Sequence, residues 1–241
     1  MKQQVKTIGN YRYIETVFDH IEDRALLDEI LSKSHQLAGS VNPHEAISGR
    51  VRGSTLGNCI GGLLSEFSFT KYLIDMKNQK KIDMRISDGT FMQDKLLPED
   101  IANQIDLKIS VKSTEKTIEI RSSFGYRTSF ERFVGIDLKN GKGAFNFIGW
   151  YTHPHKPSEL PKDFYVFSIN NFNPGQAETR CHNNTLTVWI VGAASKIWLQ
   201  DNAWDGNLPG TDNAAVFRLY NPIVKMPDLI DLINSEILEL T

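Results

Sequence analysis

Between Asp106 and Ser123 the chain alternates apolar and polar residues in two short runs separated by the polar segment K-S-T-E-K. Successive side chains of a β-strand point to opposite faces, so this alternation predicts two strands of a β-hairpin. One face is apolar and is expected to pack on a core: Leu107, Ile109, Val111, Ile118 and Ile120. The other face is polar: Asp106, Lys108, Ser110, Thr117, Glu119 and Arg121.

The polar face of this hairpin carries two carboxylates, those of Asp106 and Glu119. Neighbouring antiparallel strands hold such side chains within about 5–8 Å of each other. Two carboxylates that close repel unless a proton or a cation lies between them. Mg²⁺ is commonly held by one or two carboxylates together with water and phosphate oxygens. The alternative is an ordinary solvent-facing sheet surface, which alternating polar residues usually form.

The same residues resemble a motif of the PD-(D/E)xK nuclease family, which includes most type II restriction endonucleases. Those enzymes carry an Asp on one strand, an acidic residue-x-Lys on the next strand, and often a Glu on a preceding helix. Asp106 matches the first position, the stretch Glu119–Arg121 matches the second with Arg in place of Lys, and Glu66 matches the helix position. The resemblance covers about residues 57–123. Asp100 and Asp83 are rivals for the first acidic position, but Asp106 lies on the predicted strand itself.

The resemblance implies an α/β fold with a restriction-endonuclease-like central mixed β-sheet flanked by helices. It also implies Mg²⁺-dependent hydrolysis of DNA phosphodiester bonds. The implied metal ligands are Asp106, Glu119, the Ile120 carbonyl and Glu66. Arg121 would neutralise charge on the phosphate but cannot deprotonate a water, because the pKa of its guanidinium lies above about 12. Lys108, on the same face as Asp106, is a candidate for a second catalytic cation.

Basic residues in two segments are candidates for DNA contacts. The first segment, residues 38–57, is rich in Gly, Ser and Asn, and the second follows the hairpin and interleaves aromatic residues with arginines. Guanidinium groups bind phosphate, and aromatic rings stack on bases. Solvated loop charge and aromatic side chains packed in the core are the alternatives. The candidate DNA-binding residues are Arg50, Arg52, Ser122, Ser123, Tyr126, Arg127 and Arg132.

The chain is interpreted as one nuclease domain spanning residues 1–241. Residues 1–56 are predicted to form a helical N-terminal part and a loop, with helix across residues 12–37, and residues 57–241 the catalytic core with its DNA-binding elaborations. A second helix is predicted from Asn58 to about Asp75, with Glu66 at the flank of its apolar stripe. Gly61 and Gly62 inside that helix indicate a close approach, either to another backbone or to DNA.

Composition bears on where DNA could bind, on the cellular compartment and on the partners of the chain. The formal net charge is −2, so DNA contacts must come from local basic patches. Two cysteines and no long apolar run predict a cytoplasmic protein without a membrane segment. The expected partners are double-stranded DNA and, by resemblance to type II enzymes, a second copy in a homodimer. The alternatives are a repair or structure-specific nuclease of the same fold, and a non-catalytic DNA-binding protein with a decayed site.

Overall fold

A computed structural model describes residues 1–40, 52–87, 106–125, 130, 147–152, 161–202, 204–207, 216–220 and 226–240. Some of the residues singled out from the sequence lie outside these ranges: Arg50, Asp100, Tyr126, Arg127 and Arg132. The chain is α/β, and a seven-stranded mixed sheet flanked by helices forms its centre.

In the described ranges, ten strands form two sheets. The strands are β1 (Lys2–Ile8), β2 (Tyr11–Phe18), β3 (Met84–Ser87), β4 (Leu107–Val111), β5 (Thr114–Phe124), β6 (Phe147–Thr152), β7 (Phe164–Asn170), β8 (Leu186–Ser195), β9 (Trp204–Asn207) and β10 (Val216–Tyr220). The large sheet has the order β1-β2-β8-β7-β5-β4-β3, and the small sheet has the order β6-β10-β9. Strands β5 and β7 are parallel, whereas the other neighbouring pairs are antiparallel. The predicted hairpin is therefore confirmed as β4 and β5, the second and third strands from the β3 edge.

The helices are α1 (Arg24–Ser40), α2 (Arg52–Lys80), α3 (Ala177–Asn183), α4 (Lys196–Asn202) and α5 (Leu229–Leu232). A 3₁₀ turn, Pro174–Gln176, precedes α3, and a π-helical segment, Ile233–Ile237, continues α5. Helix α2 contains the predicted helix but begins upstream of Asn58, which is thus not its cap. In the ranges given above, every helix is too short or too polar to span a membrane.

The prediction of helix across residues 12–37 was wrong in its first part. Tyr11–Phe18 is strand β2, paired with β1 on one side and β8 on the other, and α1 begins only at Arg24. Two local signals favour the strand: β-branched and aromatic residues dominate it, and Gly9 at φ +57° allows the tight turn from β1. The N-terminal part is therefore not purely helical, because it supplies two strands of the large sheet.

Two apolar clusters lie on opposite faces of the large sheet. On one face, Ile118 and Ile120 pack with residues of α2: Ile60, Leu63 and Leu64. On the other face lies a mostly aromatic cluster that includes Tyr13, Phe130, Tyr165, Phe167 and Trp189. Side chains alternate along a strand, so Glu119 and Arg121 project on the aromatic side, where they pair in register with Tyr165 and Phe167.

Helix α2 approaches the sheet closely at Gly61. A Cβ atom there would lie 2.7 Å from Cζ of Phe124 and 2.9 Å from Nδ2 of Asn170, whereas nothing lies within 4 Å of a Cβ at Gly62. The sequence left open another backbone or DNA as the close neighbour, but Gly61 approaches the side chains of Phe124 and Asn170.

A buried polar network fixes this contact between α2 and the sheet. The Ser168 hydroxyl donates to Ser65 Oγ at 2.7 Å, and Asn170 Nδ2 donates to the Gly61 carbonyl at 3.2 Å and to the Ser123 carbonyl at 3.4 Å. Buried polar groups cost stability unless they are paired, so these bonds define one docked position of the helix.

Candidate functional site

Asp106 and Glu119 are brought together where β4 begins. The last ladder pair there is Leu107 with Ile118, and one step further along the same register Asp106 faces Glu119. Directly opposed residues in antiparallel strands lie on the same face, with Cβ atoms about 4.5–5.5 Å apart. The predicted pairing of the two carboxylates across the hairpin therefore agrees with the observed register.

The carboxylate of Asp106 is held by the backbone of β5. The N–H of Ile120 donates to Asp106 Oδ2 at 2.6 Å. In an antiparallel ladder the N–H and C=O of one residue point toward the same neighbouring strand. The Ile120 carbonyl therefore points to the same side of β5 as Asp106. Three oxygen-bearing groups, two carboxylates and one carbonyl, lie at this end of β4.

Arg121 is fixed on three sides of its guanidinium. Its Nη1 lies 3.2 Å from Glu119 Oε1, its Nη2 donates to the carbonyl of Gly149 at 3.3 Å, and its Cζ lies 5.9 Å from the ring centroid of Tyr165. The Arg121 and Glu119 side chains are 21% and 14% exposed. An arginine held this way keeps a fixed position beside Glu119, and part of its surface stays accessible to a ligand.

Lys108 lies on the same face as Asp106 but extends in the other direction along β4. Its Nζ is 3.6 Å from Oε1 of Glu115. Glu115 pairs with Ser110, nearer the hairpin turn, whereas Asp106 lies at the far end of the strand. The ammonium group thus has a partner on the side of the hairpin turn.

Glu66 is buried on α2, with 4% of its surface exposed. The apolar residues of α2 share a core with Ile118 and Ile120, so this helix lies on the face opposite to Glu119. Over the ranges that the structure covers, no group of three or more His, Cys, Asp or Glu side chains converges as a metal site. The register therefore places Asp106 opposite Glu119, and Glu66 does not form one cluster with them.

The remaining sequence candidates are distributed around this centre. Ser122 and Ser123 are exposed on β5 directly after the motif, and Arg52 is the first residue of α2. Asp83 precedes β3 at the level of the hairpin turn, because Met84 pairs with Val111. At about 3.4 Å per residue, the length of β4 separates Asp83 from Asp106, so Asp83 is no rival ligand.

Two partners of Arg121 were not predicted from the sequence. Tyr165 is fully buried in β7, and Gly149 belongs to the small sheet, where the neighbouring Trp150 ring lies 6.0 Å from the Tyr165 ring. Neither residue carries a local sequence signal for this role, since a tyrosine in a buried strand usually indicates packing alone.

The thiol of Cys181 does not act as a nucleophile at neutral pH. Burial in α3 is the main cause that raises its pKa to about 12, and the charge of Glu178 adds to the shift. The thiol therefore stays protonated and packs as a small apolar group.

Comparisons of this chain with protein-family models, with curated proteins and with solved structures found no match.

Proposed function

We propose that this protein is a Mg²⁺-dependent endonuclease that hydrolyses phosphodiester bonds of double-stranded DNA, as a sequence-specific enzyme of the type II restriction class. The observation that carries the proposal is the cross-strand pair of Asp106 and Glu119, with the backbone of Ile120 between them and Arg121 beside them. This arrangement resembles the PD-(D/E)xK motif, which has an Asp on one strand and an acidic residue, a spacer and a cation on the next. The mixed sheet flanked by helices is compatible with the restriction-endonuclease fold.

The donor set suits a magnesium ion. Mg²⁺ prefers hard oxygen ligands and usually keeps several waters while binding one or two carboxylates and substrate phosphates. Asp106, Glu119 and the Ile120 carbonyl would supply these oxygens, and Glu66, on the other face, would not join them in this conformation. When bound, such an ion lowers the pKa of a coordinated water and stabilises developing charge on the leaving oxygen.

The protein groups have separate tasks in this proposal. The Ile120 N–H orients the Asp106 carboxylate, and the Glu119–Arg121 ion pair holds both side chains at the site. The planar guanidinium of Arg121 can donate two hydrogen bonds to one phosphate group. It stays protonated at any working pH, so it contributes charge and orientation and takes no proton from water.

One observation favours the alternative of a non-catalytic DNA-binding protein. Arg121 already occupies one face of the Glu119 carboxylate, and a permanent internal ion pair reduces what that carboxylate offers to a metal. In that case the protein would bind duplex DNA without cutting it.

A plasmid digest in Mg²⁺ tests the proposal. The wild type should cut, and a discrete band pattern would distinguish a restriction enzyme from a repair or structure-specific nuclease. Asp106→Ala and Glu119→Ala should each abolish cutting, because each removes one of few oxygen ligands. Asp83→Ala is the matched control, since it removes an exposed carboxylate at the other end of the hairpin, and it should cut like the wild type.

Two results would contradict the proposal. Full cleavage by purified Asp106→Ala or Glu119→Ala would show that the pair of carboxylates is not required for the reaction. If the wild type binds DNA but does not cleave it with any metal ion tested, the non-catalytic alternative is favoured.

A further inference from the structure

The three strands at one edge of the large sheet, β3, β4 and β5, form a polar surface next to the candidate site. Two ladder rungs cross it: Arg85 with Ser110 and Glu115, and Ser87 with Lys108 and Thr117. Rung partners share a face, and this is the face of Asp106 and Glu119. We call the following residues the edge platform: Arg85, Ser87, Lys108 and Ser110. Thr117 is not included, because its hydroxyl donates to Asp163 Oδ2 at 2.8 Å.

The edge platform is accessible, whereas the neighbouring strands are covered on the same face. Arg85 and Ser87 are exposed, and Lys108 is 31% exposed. On β7 and β8 that face carries the aromatic cluster, where Tyr165 and Trp189 are at most 1% exposed. Along this face, then, the sheet passes from an aromatic core to an accessible polar surface, and Asp106 and Glu119 lie on its polar part.

The side chains of the edge platform are phosphate-binding types. Arginine, lysine, serine and threonine make most protein contacts to the phosphates of DNA, and such contacts fix the position of the duplex. From this composition, and from its place beside the two carboxylates, we infer that the edge platform binds the sugar–phosphate backbone of duplex DNA. The inference rests on the proposed function and adds where the substrate lies.

The carboxylate of Glu115 would repel a DNA phosphate, so its removal should change the affinity for DNA in the opposite direction to removal of Arg85 or Lys108. It is 59% exposed and lies 3.6 Å from the Lys108 ammonium. Exposed ion pairs of this kind contribute little to stability, so a phosphate can replace the carboxylate as the partner of Lys108. Removing the Glu115 charge should therefore strengthen DNA binding.

The experiment measures the dissociation constant of a short fluorescent DNA duplex by anisotropy, in EDTA so that no cutting occurs, over a series of salt concentrations. Each phosphate contact contributes about 0.9 to the slope of log affinity against log salt. The double variant Arg85→Gln/Lys108→Gln should therefore lower the slope by about 1.8. When salt rises from 50 to 200 mM, both proteins lose affinity for DNA, and the factor lost by the double variant should be about ten times smaller than the factor lost by the wild type.

The matched control is Arg24→Gln/Lys33→Gln, which makes the same change in net charge on α1. Both side chains pair with carboxylates of their own helix, and α1 packs on α2, on the other side of the sheet. The control should bind DNA with the wild-type slope. Glu115→Gln should bind at least twofold more tightly than the wild type.

Three results would overturn the inference. Thermal unfolding should first verify that the double variant and its control are folded. If the salt-dependence slopes of the two are then equal, the DNA phosphates bind elsewhere, and the proposed function is not affected. Unchanged or weaker binding by Glu115→Gln would remove Lys108 from the contact. A wild type that binds no duplex at all would contradict the proposed function and this inference together.

Discussion

At the scale of single residues, Arg121 distinguishes this site from the motif it resembles. A lysine offers a compact point charge on a flexible stem, whereas the guanidinium bonds in a plane and stacks on aromatic rings. The environment of Arg121 matches the second description, with a carbonyl, a carboxylate and a tyrosine ring around one planar group. The surrounding fold thus suits a planar guanidinium at position 121.

We predict that Arg121→Ala lowers the single-turnover cleavage rate by about 10²-fold or more, as for loss of one preorganised transition-state contact. Arg121→Lys should keep measurable cleavage because it retains the charge. The ratio of wild-type to Arg121→Ala rates should stay constant between about pH 6 and pH 9, since a guanidinium does not titrate there. If Arg121→Ala cleaves like the wild type, Arg121 has a structural role and no role in cleavage.

At the scale of elements, the docking of α2 depends on a glycine that faces the sheet. Gly61 faces Phe124, whose ring lies 5.6 Å from that of Phe172, and Asn170, whose amide is tied to both α2 and β5. Neither neighbour can move without losing contacts. Gly62, one residue along, faces open space. The two glycines therefore form a natural pair for comparison.

We predict that Gly61→Ala lowers the free energy of unfolding by about 1–3 kcal/mol, as expected for overpacking. Gly62→Ala should raise it by up to about 1 kcal/mol, because alanine favours a helix where nothing obstructs its methyl group. Urea denaturation of the two variants measures both effects. Equal shifts of the same sign would mean that α2 is not docked closely at Gly61.

At the scale of the whole molecule, an ion-pair cluster joins the C-terminal helix to the start of β2. Arg12 Nη2 lies 2.7 Å from Asp228 Oδ1 and 2.5 Å from Asp231 Oδ1, and Asp228 also accepts the backbone N–H groups of Ile230 and Asp231. Burial acts to raise the pKa of Asp228, but the hydrogen bonds from Arg12 and from backbone N–H groups outweigh it. The pKa of this carboxyl therefore lies below its ordinary value.

This lowered pKa gives a pH dependence of stability with a definite sign. A carboxyl whose folded pKa is depressed contributes stability above its unfolded pKa, about 3.9, and loses it as pH falls through the folded value. Asp228→Asn keeps a helix-capping oxygen but removes the charge. The wild type should be the more stable protein at pH 7, and the difference should shrink as pH falls below about 4.

Thermal unfolding of wild type and Asp228→Asn over an acid pH series measures this difference. Asp201→Asn, an exposed carboxylate near the end of α4, is the control and should show no comparable trend. A difference between wild type and Asp228→Asn that does not change with pH would show that the cluster acts through shape and not through charge.

The local sequence pattern was sufficient to predict the hairpin β4–β5 and the helix around Glu66. The alternation from Leu107 to Ile120 predicted the hairpin and its buried face, because the two-residue period of a strand is a property of the backbone itself. The same pattern predicted that Asp106 and Glu119 share a face. The apolar stripe of α2 predicted a helix around Glu66, since helical periodicity is equally local.

Tertiary structure decided what local pattern could not. Local composition favours a strand at residues 12–18, but its place in the large sheet depends on pairing with β8, which lies far along the chain. The face of the sheet that α2 covers, and with it the separation of Glu66 from Glu119, follows from the packing of α2 against Ile118 and Ile120. The partners of Arg121 come from β6 and β7, which approach it only when the sheets assemble. Contacts between distant segments depend on the whole chain. A local periodicity can therefore predict which residues are candidates for the site, but it cannot predict which residues surround them in the fold.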